Sequence, residues 1–243
     1  EEVAHVAAGL IGMGLEAATA VGIMAHTSYD WFLLDMAIAR AGLISVPIYE
    51  TSSAEQVEWI VTDADVRVVI TESGTLAELV RGAVAGIEQP VRVLALDSDA
   101  ITTIVQAGSG VSPSQVDQRS NALTVDDVYS IIYTSGTTGR PKGVELSHGN
   151  LVANVLQGKA WVPGLGEQEE RLLAALPMFH AYGLTMVATL GVFIGGEIIL
   201  LPAPDLKLIM QVMKRHTPTW LPGVPTLYEK IVDAAEETGV NIK

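Results

Sequence analysis

Cysteine is absent from this 243-residue chain. Without it there is no disulfide framework, no thiolate nucleophile and no cysteine-built metal site, so thiol catalysis is excluded and a reducing compartment is allowed. Bases are scarce as well. The 14 Lys and Arg stand against 28 Asp and Glu, and the net charge of −14 would repel nucleic acid and anionic lipid. No histidine pair has metal-ligand spacing: His5, His26, His148 and His216 are isolated, read as surface or capping residues, and leave any divalent cation to arrive with a ligand. The longest apolar run, 183–196, holds about fourteen residues where a spanning helix needs about twenty. It ends at Gly195-Gly196 before a β-like stretch, and reads as a buried helix. No charged segment followed by an apolar core opens the chain, so no secretory leader is expected.

Apolar residues make up 49% of the sequence, which is enough for a sizeable core and argues against disorder. Short β-branched runs alternate with helical patterns, the signature of crossover units and of an α/β fold whose largely parallel sheets are covered by helices. Strands are expected over 20–25, 43–48, 66–70 and 91–96, with helices over 29–41, 54–63 and 75–85. Residues 97–122, rich in Ser, Gly, Asp and Gln, read as a linker. This places a first α/β subdomain at 1–122 and a second at 123–243. The second has strands expected over 129–133, 144–146, 171–176, 197–201 and 219–221. Its helices open at Ser147 and after Pro177 and run over 205–216 and 226–238; the last carries Thr226 and Glu229 in capping-box spacing and Gly239 as a stop.

Between the strands at 129–133 and 144–146 lies Tyr133-Thr134-Ser135-Gly136-Thr137-Thr138-Gly139-Arg140-Pro141-Lys142-Gly143. Glycines let backbone N–H groups approach phosphate closely, hydroxyls donate to phosphate oxygens, and two cations offset their charge. In this acidic chain, 130–144 contains two bases and no acid. A hairpin turn draws on the same residue types, but it needs only about two to five residues and no cluster of hydroxyls and cations. The Walker loop is excluded: Lys142 follows Arg140-Pro141 rather than glycine, Gly143 replaces the magnesium-binding hydroxyl, and a strand follows where a helix is required.

This segment resembles the phosphate loop of the adenylate-forming superfamily, which includes acyl-CoA synthetases, luciferases and peptide-synthetase adenylation domains. Three further stretches agree in order and spacing: Ser147-His148-Gly149-Asn150-Leu151, Leu176-Pro177-Met178-Phe179-His180-Ala181-Tyr182-Gly183, and Gly223-Val224-Pro225-Thr226-Leu227-Tyr228. Trp31, Ala41-Gly42 and Val46-Pro47-Ile48-Tyr49 resemble the same family, so the resemblance covers nearly the whole chain. It implies part of a large N-terminal domain and ATP-driven activation of a carboxylic acid to acyl-adenylate and pyrophosphate, followed by transfer to coenzyme A. Thr134, Ser135, Gly136, Thr137, Thr138 and Gly139 would wrap the β- and γ-phosphates, with Thr134 also near magnesium. Lys142 would supply a mobile positive charge, although a solvated loop lysine reads the same way. His180 would lie near the reacting carboxylate and α-phosphate, against the bland alternative of a structural histidine, with Phe179 and Tyr182 shaping the acyl pocket.

The apolar helix over 185–193 and the 49–53 stretch look most like the long-chain fatty acyl-CoA synthetases. The resemblance implies ATP, fatty acid and coenzyme A as small-molecule partners, no nucleic acid, no transmembrane segment, and a cytoplasmic location that includes the membrane periphery. It leaves homo-oligomerisation open. Two alternatives stand beside it: a fatty acyl-AMP ligase or adenylation domain that delivers the acyl group to a carrier protein, and a non-catalytic binding module. Family members are much longer. The family's Tyr-Gly-x-Thr-Glu segment, its ribose-binding Asp and its C-terminal domain with the adenylation lysine have no match here, so the chain is expected to be a catalytically incomplete piece.

Overall fold

The fold is that of a computed structural model, which describes residues 1–134, 140–162, 164–166, 169–202 and 205–238. Its contacts divide the chain into two compact units, Glu1–Asn150 and Leu151–Lys243. In the first unit the elements run α1 (Glu2–Gly12), β1 (Ala20–Met24), α2 (Tyr29–Arg40), β2 (Ile44–Pro47), α3 (Ala54–Asp63), β3 (Val66–Thr71), α4 (Gly74–Val84), β4 (Arg92–Ala95), α5 (Ala100–Ala107), α6 (Pro113–Asn121), β5 (Val128–Thr134) and β6 (Lys142–Ser147). They form one six-stranded sheet in the order β4-β3-β1-β2-β5-β6, parallel except where β6 returns antiparallel along β5.

Every residue of β1 is buried, as expected of a central parallel strand covered on both faces. On one face Ala20, Met24, Val46, Ile48, Val66, Val69 and Tyr133 pack with Val57, Ile60 and Val61 of α3 and Val80 of α4. Helices α1, α2, α5 and α6 pack together in a second layer. Local capping agrees with the sequence: Ser28 Oγ accepts from the Trp31 N–H at 3.1 Å, and Ser53 and Gln56 form a reciprocal capping box.

Three expectations change in this unit. The 97–122 stretch contains helices α5 and α6 rather than a bare linker; Pro113 sits at the start of α6, and Gln115 accepts from the Ser112 N–H at 2.8 Å. Helix α1 was not anticipated. The division falls at 150/151 rather than 122/123, because β5 and β6 join the first sheet through β2.

The second unit holds most of α7 (His148–Trp161), then β7 (Arg171–Ala174), α8 (Ala181–Gly183), a π-helical stretch Leu184–Thr189, α9 (Leu190–Ile194), β8 (Glu197–Leu200), α10 (Leu206–His216) and α11 (Pro225–Thr238). Strands β7 and β8 pair in parallel. Leu173, Ala175, Leu201, Ile209, Met210, Leu227, Ile231 and Ala235 form the core. The expected strand at 219–221 is reduced to one parallel bridge, Leu172 with Trp220. Helix α11 begins at Pro225, so Thr226 lies inside its first turn instead of capping it; Gly239 lies outside the described residues. The 183–196 segment is only partly buried: Leu184, Val187, Leu190 and Ile194 face inward, while Val192 and Phe193 are exposed.

Candidate active site

Strand β5 carries Tyr133 and Thr134 to its carboxyl end, and β6 starts at Lys142. Thr134 and Lys142 are direct cross-strand partners, as are Tyr133 and Gly143. Because successive strand residues point to opposite faces, Thr134 and Lys142 share one face and Tyr133 and Gly143 the other. Both Thr134 and Lys142 are exposed. Tyr133 is buried in the core beside α3 and donates its hydroxyl to Asp63 Oδ2 at 2.6 Å. Burial, followed by the Asp63 carboxylate, holds the Tyr133 phenol far above its ordinary range, so it stays a donor.

Gly143 makes this placement of Tyr133 workable. A Cβ there would stand 2.9 Å from Ile131 Cγ2 and 3.0 Å from Tyr133 Cζ, so only glycine leaves room for the aromatic ring across the strand pair. Just before β6, the Pro141 carbonyl accepts from Trp59 Nε1 at 2.9 Å, and the Arg140 guanidinium lies 4.6 Å above the Trp59 ring. The five residues between these limbs, Ser135, Gly136, Thr137, Thr138 and Gly139, lie outside the described residues. Strands β5 and β6 thus form a hairpin in topology, and the two expected phosphate contacts that are described, Thr134 and Lys142, stand paired and exposed at its base.

The Ser147–Leu151 motif opens α7. Ser147 Oγ accepts from the Asn150 N–H at 3.2 Å, and Asn150 Oδ1 accepts from the Ser147 N–H at 3.0 Å. His148 sets its ring edge-on to Tyr129, with centroids 5.2 Å apart, which is a packing role.

The second unit holds the remaining predicted residues. His180 is exposed just ahead of α8, and its Nδ1 accepts from the Tyr182 N–H at 3.4 Å, a long capping contact. Its own N–H donates to the Pro177 carbonyl at 3.1 Å. A Cβ on Gly183 would sit 2.2 Å from that same carbonyl, so the turn can close only with glycine. Phe179 is buried at 7% exposure whereas Tyr182 is 39% exposed, so of the two expected pocket residues Phe179 belongs to the packed interior and Tyr182 reaches solvent. Among the described residues no group of three or more His, Cys, Asp or Glu could hold a metal ion. The lone hydroxyl of Thr134 fits a cation already carried on phosphate oxygens better than one held by protein alone.

The profile of the AMP-binding enzymes matches residues 1–242. The chain belongs to the AMP-binding enzyme family. Among curated relatives of this AMP-binding chain, a long-chain-fatty-acid–CoA ligase of Mycobacterium tuberculosis is 35% identical over 238 residues, covering 97% of this chain and 39% of that protein. The corresponding ligase of Bacillus subtilis is 43% identical over 102 residues, covering 42% of the chain and 18% of that protein. Among solved structures, ATP-bound MatB from Rhodopseudomonas palustris is similar at TM-score 0.78 and 29% identity, over 95% of this chain and 44% of that one. A long-chain-fatty-acid–CoA ligase from Archaeoglobus fulgidus is similar at TM-score 0.82 and 25% identity, over 98% and 46%. The chain therefore spans about 39% of the length of the Mycobacterium relative.

Proposed function

We propose that the protein carrying this chain activates a fatty acid, of long-chain type, with ATP to give acyl-adenylate and pyrophosphate, and then passes the acyl group to coenzyme A. The carrying observation is the 35% identity to long-chain-fatty-acid–CoA ligases across 97% of the chain, together with the paired Thr134 and Lys142 at the base of the hydroxyl-rich loop. A carboxylate is a poor electrophile. Attack of its oxygen on the α-phosphate forms the P–O bond as the bond to pyrophosphate breaks, and the adenylate so formed is the leaving group that a thiolate can displace.

Protein side chains need only orient and neutralise charge in such a reaction. Thr134 with the 135–139 loop would hold the β- and γ-phosphates and share their magnesium; Lys142 would balance charge as it moves to the leaving pyrophosphate. His180, exposed and lightly tethered, would orient the carboxylate, and Tyr182 would border the acyl group. A cytoplasmic location suits the supply of ATP and coenzyme A.

Pyrophosphate release and thioester formation, measured on the intact protein with palmitate, ATP and magnesium, test this reading. Acyl-CoA should accumulate with coenzyme A present. Consumption of a carrier-protein thiol with no reaction of coenzyme A would overturn the acceptor assignment, and no pyrophosphate from any carboxylic acid would overturn the reaction.

A further inference from the structure

Two side chains of α3 touch the β5–β6 loop at both of its limbs. Trp59 and Asp63 are four residues apart and so lie on one face of the helix. Asp63 accepts from the Tyr133 hydroxyl at 2.6 Å, and Tyr133 immediately precedes Thr134. Trp59 donates to the Pro141 carbonyl at 2.9 Å, and Pro141 immediately precedes Lys142. Proline has a fixed φ and no N–H, so tying its carbonyl sets the direction in which the chain enters Lys142. Arg140 rests over the same indole at 4.6 Å, which engages the other cation of the loop with α3. Neither Trp59 nor Asp63 belongs to the loop motif, and neither follows the pattern of a phosphate ligand.

We propose that Trp59 and Asp63 are positioning residues: they hold the two limbs of the loop so that Thr134 and Lys142 are presented together to the phosphates of ATP. This rests on the ATP reading of the loop. The geometry gives α3 a second task beyond covering the sheet. Val57, Ile60 and Val61 are buried in the core and Trp59, partly buried, packs against it, while the Trp59 N–H and the Asp63 carboxylate reach the start of β6 and the end of β5. Mispositioning by about 1 Å is enough to cost orders of magnitude in such reactions, so modest ties can matter.

The test compares Trp59→Phe, which keeps a ring under Arg140 but loses the N–H, with Trp59→Ala and with Asp63→Asn, which keeps an acceptor for Tyr133. On the intact protein, amide hydrogen exchange over 133–143 without nucleotide is measured alongside KM for ATP and for the fatty acid. Trp59→Phe should speed exchange and raise KM for ATP by about fivefold each, the equivalent of one hydrogen bond. Trp59→Ala should do more, Asp63→Asn should stay within about twofold of the parent, and KM for the fatty acid should not move. Unchanged exchange in Trp59→Phe overturns the proposal, as does a rise of both KM values together with a loss of thermal stability, the signature of a merely structural tryptophan. Failure of magnesium-ATP to slow exchange over 133–143 in the parent would instead sink the ATP reading, and the nucleotide-free comparison would still decide whether α3 orders the loop.

Discussion

Gly143 has no room for a side chain. Its would-be Cβ meets Ile131 and the Tyr133 ring at 2.9 and 3.0 Å, so Gly143→Ala must displace the ring or splay β6. A loss of about 1–3 kcal/mol is expected from such overpacking, read from denaturant unfolding. Asp35 makes a different prediction. It is fully buried in α2 and accepts from the Tyr129 hydroxyl at 2.5 Å. Burial pushes its carboxyl above the ordinary value of 3.8, and the Tyr129 hydrogen bond only partly opposes this. The folded chain therefore binds a proton that the unfolded chain has released. The stabilising contribution is complete below pH 3.8 and is lost as pH rises through the raised folded value. Asp35→Asn should flatten that part of the stability profile when unfolding midpoints are compared across pH. If variant and parent fall in parallel, Asp35 is not the group responsible.

At the scale of elements, His26 joins the carboxyl ends of three neighbouring strands. It follows β1; its Nδ1 lies 2.5 Å from Glu72 after β3, and its Nε2 lies 3.4 Å from Glu50 after β2. The hydrogen bond to Glu72, against some desolvation and with help from both carboxylates, raises its pKa above 6.5. An NMR titration of His26 should show that elevation in the parent and a clear fall toward 6.5 in Glu72→Gln. No such fall would mean that Glu50 alone holds the proton. The sequence revealed the strands around this cluster because β-branched runs and Ser caps are local signals; the Ala54–Asp63 helix appears at its expected bounds. It hid the helices of 97–122 because α5 is only eight residues long and has no side-chain cap, while α6 is polar and only Ser112, Pro113 and Gln115 mark its start. At the candidate site, the roles expected of Thr134, Lys142 and His180 come from motif alone. Those proposed for Trp59 and Asp63 do not, since their contacts exist only where α3 meets a hairpin 70 to 82 residues away in the chain.

For the whole molecule, the residues of the proposed site fall in two compact units: Thr134 and Lys142 stand in one, His180 and Tyr182 in the other. Lys142 and His180 are exposed side chains of separate units, so the stability effects of Lys142→Ala and His180→Ala should add within about 0.5 kcal/mol. Their effects on kcat/KM should not add if both serve one reaction, because removing either already cripples the step the other assists. Strict additivity in both quantities would contradict the shared role proposed for them.

The pairing of Thr134 with Lys142 makes the hairpin a counting device. Side chains alternate along β6, so a slip of one residue against β5 would set Gly143 or Pro141 opposite Thr134 and turn the lysine toward the opposite face. The same slip would pull Gly143 from beside Tyr133 and force a side chain against its ring. Core packing on one side of the strand pair thus checks, residue for residue, the placement of the cation on the other.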